Sequence, residues 1–142
     1  MGDYKRLKVW RRAHELTCTL YRVTRAFPQR DQFVLGDQIL RAAISVGANI
    51  AEGCGRNGDG ELRRFLNIAL GSANELRYLL ELAIDVGVLE PAQGGSLIAA
   101  TDAICRMLSA LSTAAYQGRR PSKEKGAATG RAPSKVLIAD SQ

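Results

Sequence analysis

Residues 53–58, Gly-Cys-Gly-Arg-Asn-Gly, match G-x-G-x-x-G, the spacing with which a backbone loop wraps a pyrophosphate. That chemistry needs a strand running into the glycines and a helix opening on the last of them, so that free N–H groups face the phosphate. The preceding segment, RAAISVGANIAEG, instead spaces its apolar residues as a helix does. The motif therefore reads as a turn. Gly53 or Gly55 is expected to accept a positive φ at the end of one helix, and Asp59 to cap the next. No cofactor is implied.

The other reactive side chains are sparse. His14 is the only histidine, and no Ser or Cys is spaced with it to suggest a triad. Cys54 lies near Arg56, which would lower a thiol pKa, but no base or oxyanion site accompanies it. Cys18, Cys54 and Cys105 are odd in number and form no C-x-x-C, so neither a disulfide framework nor a zinc site is suggested. The Glu plus Glu-x-x-His sets of di-metal bundles are absent. The chain is expected to be no enzyme and to hold no metal.

Positive charge is the stronger signal. The net charge is +6, and it is uneven: residues 1–117 hold 14 Lys+Arg against 12 Asp+Glu, whereas 118–142 hold 6 against 2. Near the start, Lys5, Arg6, Lys8, Arg11 and Arg12 face only Asp3. In the tail the cations are Arg119, Arg120, Lys123, Lys125, Arg131 and Lys135, within a small repeat, GRRPSK and GRAPSK, followed by an apolar VLIA. Such clusters attract phosphate backbones or acidic protein surfaces without choosing between them. The tail reads equally as a basic arm for nucleic acid or as a solubilising extension.

Four helical stripes must carry these groups. Val9, Ala13, Leu16, Leu20, Val23 and Phe27 recur at 4, 3, 4, 3, 4, and Pro28 ends the run. Leu35, Ile39, Ala42, Val46 and Ile50 form a second stripe. Leu62, Phe65, Ala69, Ser72, Leu76, Leu79, Ala83 and Val86 form the third. Leu97, Thr101, Ile104, Leu108, Leu111 and Ala115 form the fourth, with Ser96 as its expected N-cap. Links near 28–33, 54–60 and 87–95 suit antiparallel neighbours. The predicted fold is all-α: an antiparallel up-down-up-down four-helix bundle over 1–117, with a disordered basic C-terminal tail over 118–142. No apolar run approaches a membrane span and no secretory signal is seen, so a cytoplasmic protein without membrane contact is expected.

One polar stripe runs beside the second core seam: Gln38, Arg41, Ser45, Asn49 and Glu52. It is either a solvated face or an inter-helix network, in which Gly71, Ser72 and Ala73 permit close approach and Glu75 supplies a carboxylate. An antiparallel turn centred near Asn57 would place Arg41 within one turn of Glu75.

The segments FPQRDQFVLGDQILRAAISVGANIAEGCGR and FLNIALGSANELRYLLELAIDVGVL, with the opening LKVWRRAHELTCTLYRVT, resemble the bacterial four-helix bundle protein family, also called the 23S ribosomal RNA intervening-sequence protein family. The similarity covers about residues 4–115, and NIAEG-x-GR with GS-x-x-E two turns into the next helix is fairly specific. Leu40 departs from the family pattern, which usually has arginine there as well as at Arg41. The resemblance implies a small helical bundle, generally without known enzymatic activity, that can assemble into a ring-like homopentamer. Related in fold is the accessory variability determinant of diversity-generating retroelements, which binds a reverse transcriptase and nucleic acid. Apolar residues off the main seams, Trp10, Leu66, Leu70 and Leu80, also point to an oligomer. The expected function is a non-enzymatic oligomeric scaffold that binds RNA or DNA with little sequence preference. The alternative is a protein-interaction module, such as an accessory subunit of a reverse transcriptase.

Overall fold

The computed structural model describes residues 2–117. A short 3-10 turn, Tyr4–Arg6, opens the chain and is capped by Asp3, whose carboxylate accepts from the Lys5 N–H at 3.0 Å. Helix α1 is Lys8–Arg25. Helix α2 is continuous through three parts: Gln29–Asp31, a π-helical turn Gln32–Gly36, and Asp37–Gly55. Helix α3 is Asp59–Asp85 and α4 is Pro91–Gln117. Each helix packs on its chain neighbours, and α1 closes the ring against α4. The architecture is the expected antiparallel four-helix bundle, and no strand occurs among the described residues.

The first two stripes become core as read. Every named residue of the α1 and α2 stripes is buried, with Leu20, Ile39 and Ile50 fully so. On α3 the reading captured one seam of two. Leu66, Ala73 and Leu80 are fully buried beside Leu62, Ala69 and Leu76, because α3 packs against both α2 and α4. Leu66 and Leu80 thus belong to the monomer's own core, and Trp10 and Leu70 pack against its margin. These four residues do not argue for an oligomer. At the other extreme, Val86 is exposed beyond the end of α3.

The links are shorter than expected because three helices extend further. Between α1 and α2 only Ala26–Pro28 intervene, and the Gln32 side-chain amide donates to the carbonyls of Arg25 and Phe27, satisfying groups at the end of α1. The π-helical turn inserts an extra residue, burying Leu35 and Gly36 while Phe33 and Val34 project into solvent. After α3, Gly87 takes φ +77°, Val88 N–H donates to Ala83 and Gly87 N–H to Ile84, a Schellman closure. Pro91 then occupies the first position of α4, where its missing N–H costs nothing. Ser96 is consequently inside the helix and not its cap. Gly94 belongs to α4 as well, and a Cβ there would fall 2.5 Å from the Ile84 side chain.

By length and composition α4 could cross a membrane, with a mean hydropathy of 1.3 over its most apolar window. Its uninterrupted apolar runs are short, the longest being Leu97–Ala100, and a core helix meets the same length and composition. Thr101, Asp102 and Arg106 interrupt its apolar runs. In the bundle α4 gives Leu97, Thr101, Ile104 and Leu108 to the core.

Candidate nucleic-acid interface

The glycine motif is a turn, but its glycines divide the work differently from the expectation. Gly53 and Gly55 are helical, and the positive φ of +90° belongs to Gly58, which precedes Asp59 at the first position of α3. Gly58 therefore takes the N-cap place, and Asp59 makes no capping bond. Gly53 is buried where α2 meets α3, and a Cβ there would stand 2.9 Å from Cβ of Phe65. Cys54 is buried too, and burial pushes its thiol pKa up, against the expected lowering. Arg56 is held at 2.8 Å by Glu52.

Lys5 and Arg6 on the 3-10 turn and Lys8, Arg11 and Arg12 on α1 are all exposed. None of the five forms an ion pair among the described residues. Lys8 and Arg12, one turn apart, border an open groove of about 510 Å³ between α1 and α4, whose floor includes Leu16, Leu97, Ile104 and Met107. The antiparallel path brings the end of α4, Gln117, to the same end of the bundle as these cations. Arg63 and Arg64 begin α3 at that end; Arg64 reaches Glu61 at 3.4 Å, and Arg63 lies 4.5 Å over the Tyr116 ring. The expected tail cations Arg119, Arg120, Lys123, Lys125, Arg131 and Lys135 lie outside the described residues.

On its α2 side, α1 carries an aromatic array. Trp10 and His14 stack with centroids 4.9 Å apart and planes 10° from parallel, and Tyr4 meets Trp10 edge-on at 4.9 Å. His14 is exposed, and its Nε2 lies 3.8 Å from Cys18 Sγ. No group of three or more His, Cys, Asp or Glu is placed to hold a metal among the described residues.

The expected polar network forms only in part. Ser45 and Ser72 hydroxyls meet at 2.8 Å across α2 and α3, and the Asn49 amide donates to the Ser45 carbonyl and hydroxyl at 2.8 and 3.0 Å. Arg41 and Glu75 do not pair with each other; both are exposed. The Ser45–Ser72 contact shows that opposed residues sum to about 117, and at that register Arg41 and Glu75 lie on the outward sides of their helices. Glu52 faces Arg56 within its own helix turn instead. Gly71 is exposed with nothing near it, so it permits no close approach.

A second polar seam escaped the sequence reading. Between α3 and α4 Ser112 donates to Asn67 at 2.9 Å, the Cys105 thiol to Asn74 at 3.7 Å, and Arg77 to Asp102 at 2.6 Å. Arg77 also binds Glu81. In all three cross-helix contacts the residue numbers sum to 179, so one antiparallel register satisfies them together. The hydrogen bond and charge of Asp102, with Glu81, raise the Arg77 pKa further above its ordinary value. The available signal was the seven-residue step from Asn67 to Asn74 on a helix with two buried faces.

These features define a four-helix bundle with one cationic end. The chain belongs to the 23S rRNA-intervening sequence protein family, which matches residues 5–110. It is also similar to the crystal structure of a protein of unknown function from the S23 ribosomal protein family of Bacteroides thetaiotaomicron VPI-5482. That similarity has 30% identity and a TM-score of 0.69, covering 72% of this chain and 96% of that one. No curated protein matches the sequence.

Proposed function

We propose that this protein is a non-enzymatic, oligomeric bundle scaffold that binds nucleic-acid backbones through its cationic end, with little sequence preference. The observation that carries the reading is the convergence of five cations, unpaired among the described residues, with the point where the chain runs on into its basic segment. Free cations bind phosphates without first giving up an internal partner, and an oligomer, taken to be a pentamer, multiplies the contacts. The absence of a base-reading motif fits backbone recognition.

Binding of mixed-sequence RNA and DNA at two salt concentrations tests this, comparing the full chain with one ending at Gln117. If all six tail cations contact duplex phosphates, truncation should reduce the slope of log affinity against log salt by about 5. Equal affinity and slope for both chains would reduce the tail to a solubilising extension. A shallow slope for the full chain would overturn the reading. Sedimentation at micromolar concentration tests the assembly, and a monomer would remove the multiplied charge. The 510 Å³ groove between α1 and α4 supports a second reading, a module that docks a partner protein such as a reverse transcriptase; a salt-insensitive partner would favour it.

A further inference from the structure

Between α1 and α2 lies a second open groove, of about 310 Å³, walled by Tyr4, Trp10 and His14 on one side and by Gly47, Ala48 and Ala51 on the other. The wall is assembled before any ligand arrives, because Trp10 and His14 are already stacked and Tyr4 braces the indole. Apart from Ile44 the opposite side is small, leaving room for a flat ring beside the indole. The indole N–H makes no hydrogen bond among the described residues, yet no buried side-chain nitrogen or oxygen there is left without a partner. It is therefore an accessible donor at the groove. A Cβ on Gly47 would sit 3.7 Å from that nitrogen, so glycine is what keeps the space before the donor open. Lys5, Arg6 and Arg11, all exposed, are chain neighbours of Tyr4 and Trp10.

We infer that this groove is a pocket for an unpaired nucleobase of single-stranded nucleic acid. A base has apolar faces suited to an aromatic wall and an alanine floor, a polar edge that supplies the acceptor the indole lacks, and a phosphate on either side for the cations. Base-on-aromatic stacking next to a basic track is the general device of sequence-tolerant single-strand binding. The inference rests on the nucleic-acid reading above and deepens it: backbone cations alone would hold duplex and single strand alike, whereas this pocket admits only an unpaired base.

Trp10 is the only tryptophan of the chain, so its emission reports on the pocket directly. Full-length protein is titrated with oligo(dT), oligo(rU) and a mixed-sequence duplex at low salt, while anisotropy of the labelled nucleic acid follows binding. The oligonucleotides should quench Trp10 saturably, and the duplex should bind without quenching. Quenching by one oligonucleotide alone assigns the pocket to RNA or to DNA. Gly47→Leu fills the space before the indole and should abolish quenching and weaken oligonucleotide binding about tenfold, leaving duplex affinity unchanged. His14→Ala, at an exposed position, is the second variant should Gly47→Leu misfold, and it should weaken oligonucleotide binding in the same selective way. Oligonucleotide binding with unchanged Trp10 emission, or equal losses for duplex and single strand in the variants, overturns the pocket and leaves the backbone reading standing. Failure of every nucleic acid to bind overturns both.

Discussion

Two glycine-to-alanine substitutions in adjacent helices should shift stability in opposite directions. Gly71 lies on the exposed face of α3 with no neighbour within 4 Å of an added Cβ. Gly71→Ala gains only helix propensity, roughly 0.5–1 kcal/mol. Gly53 has the same propensity gain available, but its Cβ would stand 2.9 Å from Cβ of Phe65 and 3.4 Å from Leu62 Cδ1. Phe65 Cβ is fixed to the α3 backbone and has no rotamer by which to retreat. The helices must separate by several tenths of an ångström, and overpacking of that kind costs about 1–3 kcal/mol. At the middle of these ranges Gly53→Ala is destabilised by about 1 kcal/mol, and because the propensity gain is shared the two variants should differ by the overpacking cost, about 2 kcal/mol. Urea unfolding followed by far-ultraviolet circular dichroism measures both, and melting temperatures should separate by about 8 °C at roughly 4 °C per kcal/mol. If Gly53→Ala is as stable as Gly71→Ala, the close approach of α2 and α3 is not what the first glycine of the motif serves.

Leu80→Ala should cost about 2–5 kcal/mol in the same assay, since Leu80 is fully buried; a loss below about 1 kcal/mol would place it at the margin of the core. A double-mutant cycle of Ser45→Ala and Ser72→Ala should show coupling of about 0.5–1.5 kcal/mol, whereas Arg41→Ala with Glu75→Ala should show none. Iodoacetamide at pH 8 should modify exposed Cys18 and spare buried Cys54, as mass spectrometry of tryptic peptides would show. Because burial raises the Cys54 pKa above the ordinary 9.0, the unfolded chain releases that proton first. Stability should then fall as pH rises above about 9, less steeply in Cys54→Ala, and an unchanged slope in that variant would refute the assignment.

What the sequence revealed depended on how widely each helix is buried. Every residue named in the α1 and α2 stripes is buried, although α2 also buries Ala43, Gly53 and Cys54 outside its single repeat. Helix α3 packs on both of its neighbours more extensively than any other helix does, so Leu66, Ala73 and Leu80 fell outside the one seam counted. Helix starts were misjudged where glycine or serine suggested a loop: Gly94 lies inside the helix, and it is glycine because Ile84 fills the space a side chain would need. Arg41 and Glu75 were placed at nearly the correct level but on the wrong sides, since level follows from counting rise and direction requires knowing the helix rotation. The aromatic array was illegible for a related reason. Trp10 and His14 are one turn apart, but Gly47 meets them only through the α1–α2 register, which the π-helical turn adjusts.

The parity of the helices explains why the cations gather. In an up-down bundle an even number of helices returns the chain to the end from which it started, so Lys5–Arg12 and the exit from Gln117 share one end. An odd number would have put them about 40 Å apart at the 1.5 Å rise of a 27-residue helix, several Debye lengths at physiological ionic strength. Polar contacts hold α2 to α3 and α3 to α4 in register, and Thr17 reaches the Ala43 carbonyl to hold α1 to α2. The α1–α4 seam shows no such cross-helix hydrogen bond among the described residues, and its groove stands open with Lys8 and Arg12 on the rim. The same closing of the ring that completes the core therefore leaves Lys8 and Arg12 without ion-pair partners among the described residues, the condition that the proposed backbone binding needs.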